Sequence, residues 1–442
     1  MKTMRRNILT SLVCLTGLCS SLQAERYYSA WKQEYDTTFN HSQAPAAIAM
    51  DARGNVFVTG YAKDASDVSR YYTAKYDALD GHKVWQAFEG TGSNIFEPKA
   101  IVVDSAGNVI VTGSRNASGA IDFYTVKYNG TTGTQTWAVA YNGTASGQDI
   151  GLKVAVDSSN NVFVTGRSRG DNGNPTGDDI VTIKYNPTTG AQTGIDRYTT
   201  SGSRDDFPAA LAVDSSNNVI VAGTANTGSG VFRLFVRKLN NTLTTAAWAG
   251  GGVTIDTGGD IGAAAMALDS SNNVAVTGQY RTNTSKHGFY TAMLASSDGS
   301  FIWETNSIPV SDDLIGAPTS ITIGPDNNPV VTGFLKNASG DTIIRTIKYT
   351  GGGFFGGAID VWDKSDTGLG FGDSSAHQVV SDGGSNAIII GESDNADNVR
   401  TSTWQNTTPS PAIVWNSIPL QAPSARTTPA SAQWWMATVE SP

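Results

Sequence analysis

The chain has four histidines, His41, His82, His287 and His377. No two of them stand at the i, i+2 or i+4 spacing that clamps one metal ion. A Walker lysine loop is missing from the sequence. The G-x-G-x-x-G match at Gly351–Gly356 falls in a strand-to-strand turn, with no helix to receive a phosphate. Two oxygen-rich stretches offer calcium-type donors without EF-hand spacing: Asp171-Asn172-Gly173-Asn174 with Asp178 and Asp179, and Asp394-Asn395-Ala396-Asp397. They read as polar loops, so neither metal nor cofactor is expected. The constellation that remains is repeated rather than local. A carboxylate precedes an apolar run at Glu97, Asp149, Asp206, Asp260, Asp313 and Asp373, whereas the first such stretch has Asn40-His41-Ser42.

These carboxylates are placed by a repeat. An apolar run ends in Asp, then come a polar turn, Asn, β-branched residues and Thr-Gly, as in Asp157–Gly166. The closing glycines are Gly60, Gly113, Gly166, Gly223, Gly278, Gly333 and Gly391, giving a period of 53 to 58 residues. Each repeat resolves into four strand-like pieces; in the second they are 100–104 (A), 109–112 (B), 123–128 (C) and 136–141 (D). The A–B connection carries Asn five residues before every closing glycine, usually preceded by Gly or Asn, the types that tolerate a left-handed turn position. Strand B is apolar on both faces and belongs between layers, whereas strand C alternates and belongs nearer the rim. Trp85, Trp137, Trp248 and Trp303 recur on strand D, a regularity that argues for packing. Four short strands at such a period predict an all-β fold, a seven-bladed β-propeller of four-stranded antiparallel blades.

In that architecture the D–A crossovers share one face, so the six carboxylates should ring one mouth of the central channel. Two outcomes are open. Each carboxylate caps its own crossover through backbone N–H groups, or together they form an acidic funnel for a cation or a basic peptide. His41 and His377, from repeats that become neighbours on closure, break the pattern on the same surface. These eight residues are the candidate ligand-binding set, and no catalytic residue is expected.

Residues 1–24 read as a secretory signal peptide: Lys2, Arg5 and Arg6, a short apolar stretch, then Ala24. Residues 25–45, around Trp31, supply a spare strand D that closes the ring; residues 46–420 form the propeller and 421–442 a tail. A seven-bladed ring leaves one strand D surplus, and the tail at 433–441 offers only a strand A. Both cysteines, Cys14 and Cys19, lie in the leader, so the exported chain has neither disulfides nor thiolate ligands. A formal charge of −9, more acidic still without the leader, disfavours nucleic acid and anionic lipid.

The Asp-Ser-x-x-Asn-Val-x-Val-Thr-Gly pattern, followed by Thr-x-Lys-Tyr and later Trp, resembles the bacterial SBBP-type β-propeller repeat, related in pattern to NHL propellers. The likeness spans about residues 45–420 and is strongest at 149–166 and 210–223; Gly324 in place of Asp and Ile390 in place of Thr depart from it. The resemblance implies a secreted or surface-associated propeller, generally without an assigned reaction. A quinone-cofactor dehydrogenase does not fit, because it uses eight blades, calcium and a vicinal cysteine pair.

Three function classes follow: a non-enzymatic, monomeric binding module for protein or glycan outside the cell or at its surface; a glycan lyase or hydrolase with its site at the channel mouth; and a structural envelope or matrix protein. One consequence is testable on the exported chain at once. Its thermal midpoint should be unchanged by a thiol reductant; a shift would show a disulfide that the sequence does not provide.

Overall fold

The computed structural model describes residues 29–437 apart from loop segments, the longest being 36–42, 308–314 and 418–431. Within them lie seven four-stranded antiparallel sheets, each in the order A-B-C-D. The inner strands A are Gln43–Met50, Ile95–Val103, Asp149–Val156, Phe207–Val213, Asp260–Leu268, Gly316–Ile323 and Ser374–Ser381. Successive inner strands touch from blade one to blade seven. Among the described residues the only helical turn is a short 3-10 turn, Ala249–Gly251, and no helix is long and apolar enough to cross a membrane.

Strand B is the buried layer, as its sequence requires. Val58, Val111, Val164, Val221, Val276 and Val331 occupy one register position and are at most 2% exposed. Each faces the corresponding apolar residue of its own strand A, Val58 opposite Ile48 and Val164 opposite Val154. Thr59, Thr112, Thr165, Thr277 and Thr332 are fully buried. Their hydroxyls meet those of Thr73, Thr125, Thr182, Thr291 and Thr346 on strand C at 2.8–3.2 Å, so none of these ten threonine hydroxyls is buried without a partner.

Strand C does not alternate between buried and exposed as its sequence suggests. In blade three, Asp178–Tyr185 is buried at every position but Lys184, which is half-buried. Its threonines are buried because they pair across to strand B, and lysines of this strand are buried where they are paired as described below. The alternation lies one strand further out, where Lys83–Glu89 of blade one runs exposed, exposed, buried, exposed.

Every strand A carries one bulge, at Ala46, Lys99, Leu152, Ala209, Ala264, Thr319 and His377 in turn. Opposite it stands the closing glycine of the repeat. The bulge presses the backbone of strand A onto strand B, so a Cβ on Gly166 would lie well inside 3.0 Å of the Ile150 carbonyl oxygen. The other closing glycines meet the equivalent carbonyl in the same way. The closing glycine is therefore dictated by close approach of two backbones, a common reason for glycine beside a bulge.

The termini meet. Ser29–Tyr35 pairs antiparallel with Ala432–Ala437 in a separate two-stranded sheet, and Ala432–Ala437 touches the inner strand of blade one. In every blade the direct partner of strand D is strand C. With Ser29–Tyr35 as the surplus strand D, its partner Ala432–Ala437 stands where a strand C would.

Two measurements check this packing. Gly166→Ala should lower stability by about 3 kcal/mol, the upper range for overpacking, as a shift in denaturant midpoint. Deleting residues 432–442 should lower the thermal midpoint and speed amide exchange in 43–50, while the inner strands of blades three to five keep their protection.

Candidate functional site

The repeated carboxylates do not occupy one structural position. Counted from the bulge, Asp149 and Asp206 stand three residues before it, Asp260 and Asp373 four before it, and Glu97 two before it. Their surroundings differ accordingly. Asp149 is fully buried and accepts from the Gly143 N–H at 2.8 Å, inside its own crossover. Asp206, also fully buried, accepts from the N–H groups of Thr200 (2.8 Å) and Asn226 (2.9 Å). Burial pushes both carboxyls above the usual value, while these N–H donors work against the rise.

Asp260 and Asp373 reach backwards instead. Asp260 accepts from Phe232 N–H at 3.1 Å and Asp373 from Thr342 N–H at 2.7 Å, both at the start of strand C in the preceding blade. Asp205 does the same to Asp178 N–H at 2.9 Å, and the sequence reading missed it because Asp206 beside it took its place in the count. Arg70 and Arg233, at a shared place on strand C, make the converse bond, donating to the Asn94 and Gly259 carbonyls of the next crossover. Glu97 is exposed and pairs with Lys99 at 3.3 Å.

Asp149, Asp206, Asp260 and Asp373 thus have oxygens that hold backbone together. Asp313 and His41 lie outside the described residues, so the meeting of His41 with His377 falls there too. His377 is exposed at the bulge of blade seven, 3.8 Å from Glu392. His287 opens strand C of blade five, where burial, followed by Arg281, lowers its basicity.

The opposite face is built from the A–B and C–D turns. The turn aspartate closes its own loop: Asp104 accepts from the N–H groups of Ala106 (3.0 Å) and Asn108 (2.8 Å), and Asp157 and Asp214 repeat this. Asp104 and Asp214 also meet the strand C lysine below. Lys127–Asp104 at 2.8 Å and Lys238–Asp214 at 2.9 Å have almost no solvent exposure. Each lysine also donates to the next blade, Lys127 to the Pro187 carbonyl (3.0 Å) and Lys238 to that of Ser296 (2.8 Å). The tryptophan of the same blade donates to the same oxygen, Trp137 to Pro187 and Trp248 to Ser296, both at 3.1 Å. Lys75 and Trp85 converge likewise on Gly130. Trp248 lies outside strand D of its blade, Val253–Ile255, yet keeps this bond. Its packing role therefore belongs to the junction, not to the strand.

Among the described residues one group could hold a metal ion, Asp77, Asp80 and His82 in the C–D turn of blade one, with donor atoms within 4.8 Å of one another. His82 Nδ1 lies 2.6 Å from Asp80, the contact that Ser300 makes with Asp298 in blade five, so turn chemistry accounts for the group. Asp179 is the costlier residue. It is fully buried; burial pushes its carboxyl up, Asp206 and Asp178 add to the rise, and Thr199 opposes it.

No family model and no curated protein sequence matches the chain. Among solved structures, BamB from Moraxella catarrhalis is similar at 14% identity and a TM-score of 0.41, over 84% of this chain and 99% of that one. The β-propeller domain of the Trilobed protease from Pyrococcus furiosus is similar at 8% identity and a TM-score of 0.45, over 83% and 98%. A polysaccharide lyase of family PL25, an ulvan lyase, is similar at 13% identity and a TM-score of 0.45, over 72% and 82%. These neighbours are β-propeller proteins, the architecture that the seven sheets display.

Opposite pH effects should follow from the two kinds of aspartate. Burial raises Asp214, but Asn218 and Lys238 outweigh it and hold its carboxyl below 3.8. Its contribution is present above that value and lost as pH falls through the depressed one. Asp214→Ala should therefore cost about 3 kcal/mol at pH 7 by stranding Lys238, and progressively less in acid. Asp179 has the reverse sign: its raised carboxyl favours the fold only at low pH and loses that as pH rises. Asp179→Asn should gain on the order of 1 kcal/mol at pH 7, a gain that vanishes near pH 3. Urea melts across pH measure both.

Proposed function

We propose that the chain is an exported, non-enzymatic β-propeller of the SBBP repeat type, working as a monomeric binding module for a protein or glycan at the cell surface or outside the cell. One observation carries this reading: the acidic residues of the crossovers bond to backbone within and between blades. A glycosidase-type site needs two carboxyl groups facing a substrate, and Asp149, Asp206, Asp260 and Asp373 are engaged elsewhere. What varies from blade to blade is the B–C loops and the outward faces of strand D. A rigid frame bearing variable loops suits recognition, and the acidic balance favours neutral or basic partners over polyanions.

A second reading, a lyase or hydrolase acting on glycans, has one observation in its favour, the exposed His377 beside Glu392. Binding to glycan and protein arrays, followed by incubation of each captured polysaccharide with the protein, separates the two. Saturable binding without release of new chain ends is expected, and His377→Ala should bind as the parent does. Chain cleavage that disappears in His377→Ala would establish the enzyme instead.

A further inference from the structure

The junction between blades seven and one is unlike the other six. In blades two to six the apolar pair near the end of strand A packs on strand B of the preceding blade. Ile101 and Val103 pack with Phe57, Leu211 and Val213 with Phe163, Ile321 and Ile323 with Ala275. The corresponding pair of blade one, Ile48 and Met50, is 45% and 56% exposed. The opposite wall repeats the observation. Ile390 stands where Thr59 and Thr112 stand in their blades, and Thr112 is buried against Gly151 of the next blade. Ile390 is 47% exposed. Both walls thus present apolar side chains at positions that are covered in the rest of the ring.

The terminal sheet says what kind of element fits between them. With Ser29–Tyr35 in the place of strand D and Ala432–Ala437 in that of strand C, strands A and B of this eighth sheet have no counterpart among the described residues. Strand B of such a sheet is what would cover Ile48 and Met50, and its strand A is what would cover Ile390. The inner edge of Ala432–Ala437 has no strand paired to it among the described residues, and an edge of this kind takes an added strand through main-chain hydrogen bonds.

We propose that this slot receives a β-hairpin from a protein partner, whose two strands take the A and B places and complete an eighth blade. The surface is separate from the loop face invoked above, so the failure of either reading leaves the other standing.

The probe is a synthetic peptide of residues 149–169, the A–B hairpin of blade three with its own turn, with a scrambled peptide of equal composition as control. Added to the exported full chain, the hairpin should bind saturably by calorimetry and slow amide exchange in 43–50 and 432–437; the scrambled peptide should do neither. Ile48→Glu and Ile390→Glu alter exposed side chains and should keep the parent melting curve while weakening binding about tenfold or more, the loss of roughly 1.4 kcal/mol. Met50→Glu tests the same wall should Ile48→Glu fold poorly. Absence of hairpin binding, or equal binding by the variants, would overturn the proposal. So would a parent dimer in sedimentation that Ile390→Glu dissociates, since the slot would then serve a second copy of this chain.

Discussion

At three of the junctions one backbone carbonyl gathers the fastening between neighbouring blades. The oxygen of Pro187 takes the Lys127 ammonium and the Trp137 indole N–H from the preceding blade, and Ser296 takes Lys238 and Trp248 in the same way. The lysine reaches it only because its charge is met by Asp104 or Asp214, whose carboxylate is in turn fixed by its own A–B turn. Turn, strand and neighbouring blade are therefore one coupled unit. A buried ion pair contributes little by itself against its desolvation, yet removing one partner is costly. The arrangement thus specifies how blades meet more than it adds to stability. The tryptophan ring completes it by lying beneath the left-handed glycine of the next C–D turn, Trp85 under Gly133 and Trp137 under Gly190, where a Cβ would collide with the indole.

The other face uses different means for the same end. There, Asp205, Asp260 and Asp373 accept N–H groups from the start of strand C one blade back, while Arg70 and Arg233 donate in the opposite direction. The junctions of blade one with two and of blade four with five are fastened at both ends, and the apolar layer of strand B fills the space between. Such fastening commits these aspartates and arginines to the frame.

The blades themselves were legible in the sequence because their causes are local. Asp and Asn at fixed spacing close a turn, β-branched residues on both faces make a buried strand, and Gly closes each repeat. Even so, the sequence did not show why that glycine recurs. The cause is a bulge on the partner strand, visible only once strands A and B are paired. The alternation of strand C misled for a related reason: Thr and Lys read as exposed until their partners, a threonine on strand B and an aspartate in the A–B turn, are brought beside them.

The candidate site shows the same division more sharply. By itself the sequence determined that a carboxylate occurs near the start of most inner strands, because spacing along a repeat is a one-dimensional property. Which residue each one bonds depends on register, and a shift of one residue turns a side chain to the other face of a strand. Asp206 and Asp205, adjacent in sequence, thus do different work, one capping its own crossover and the other holding the blade before it. Sequence spacing could not separate them, nor could it tell that the two ends of the chain pair with each other. Contacts between residues hundreds of positions apart are fixed only when seven similar blades are packed in order and the surplus strand must find its partner.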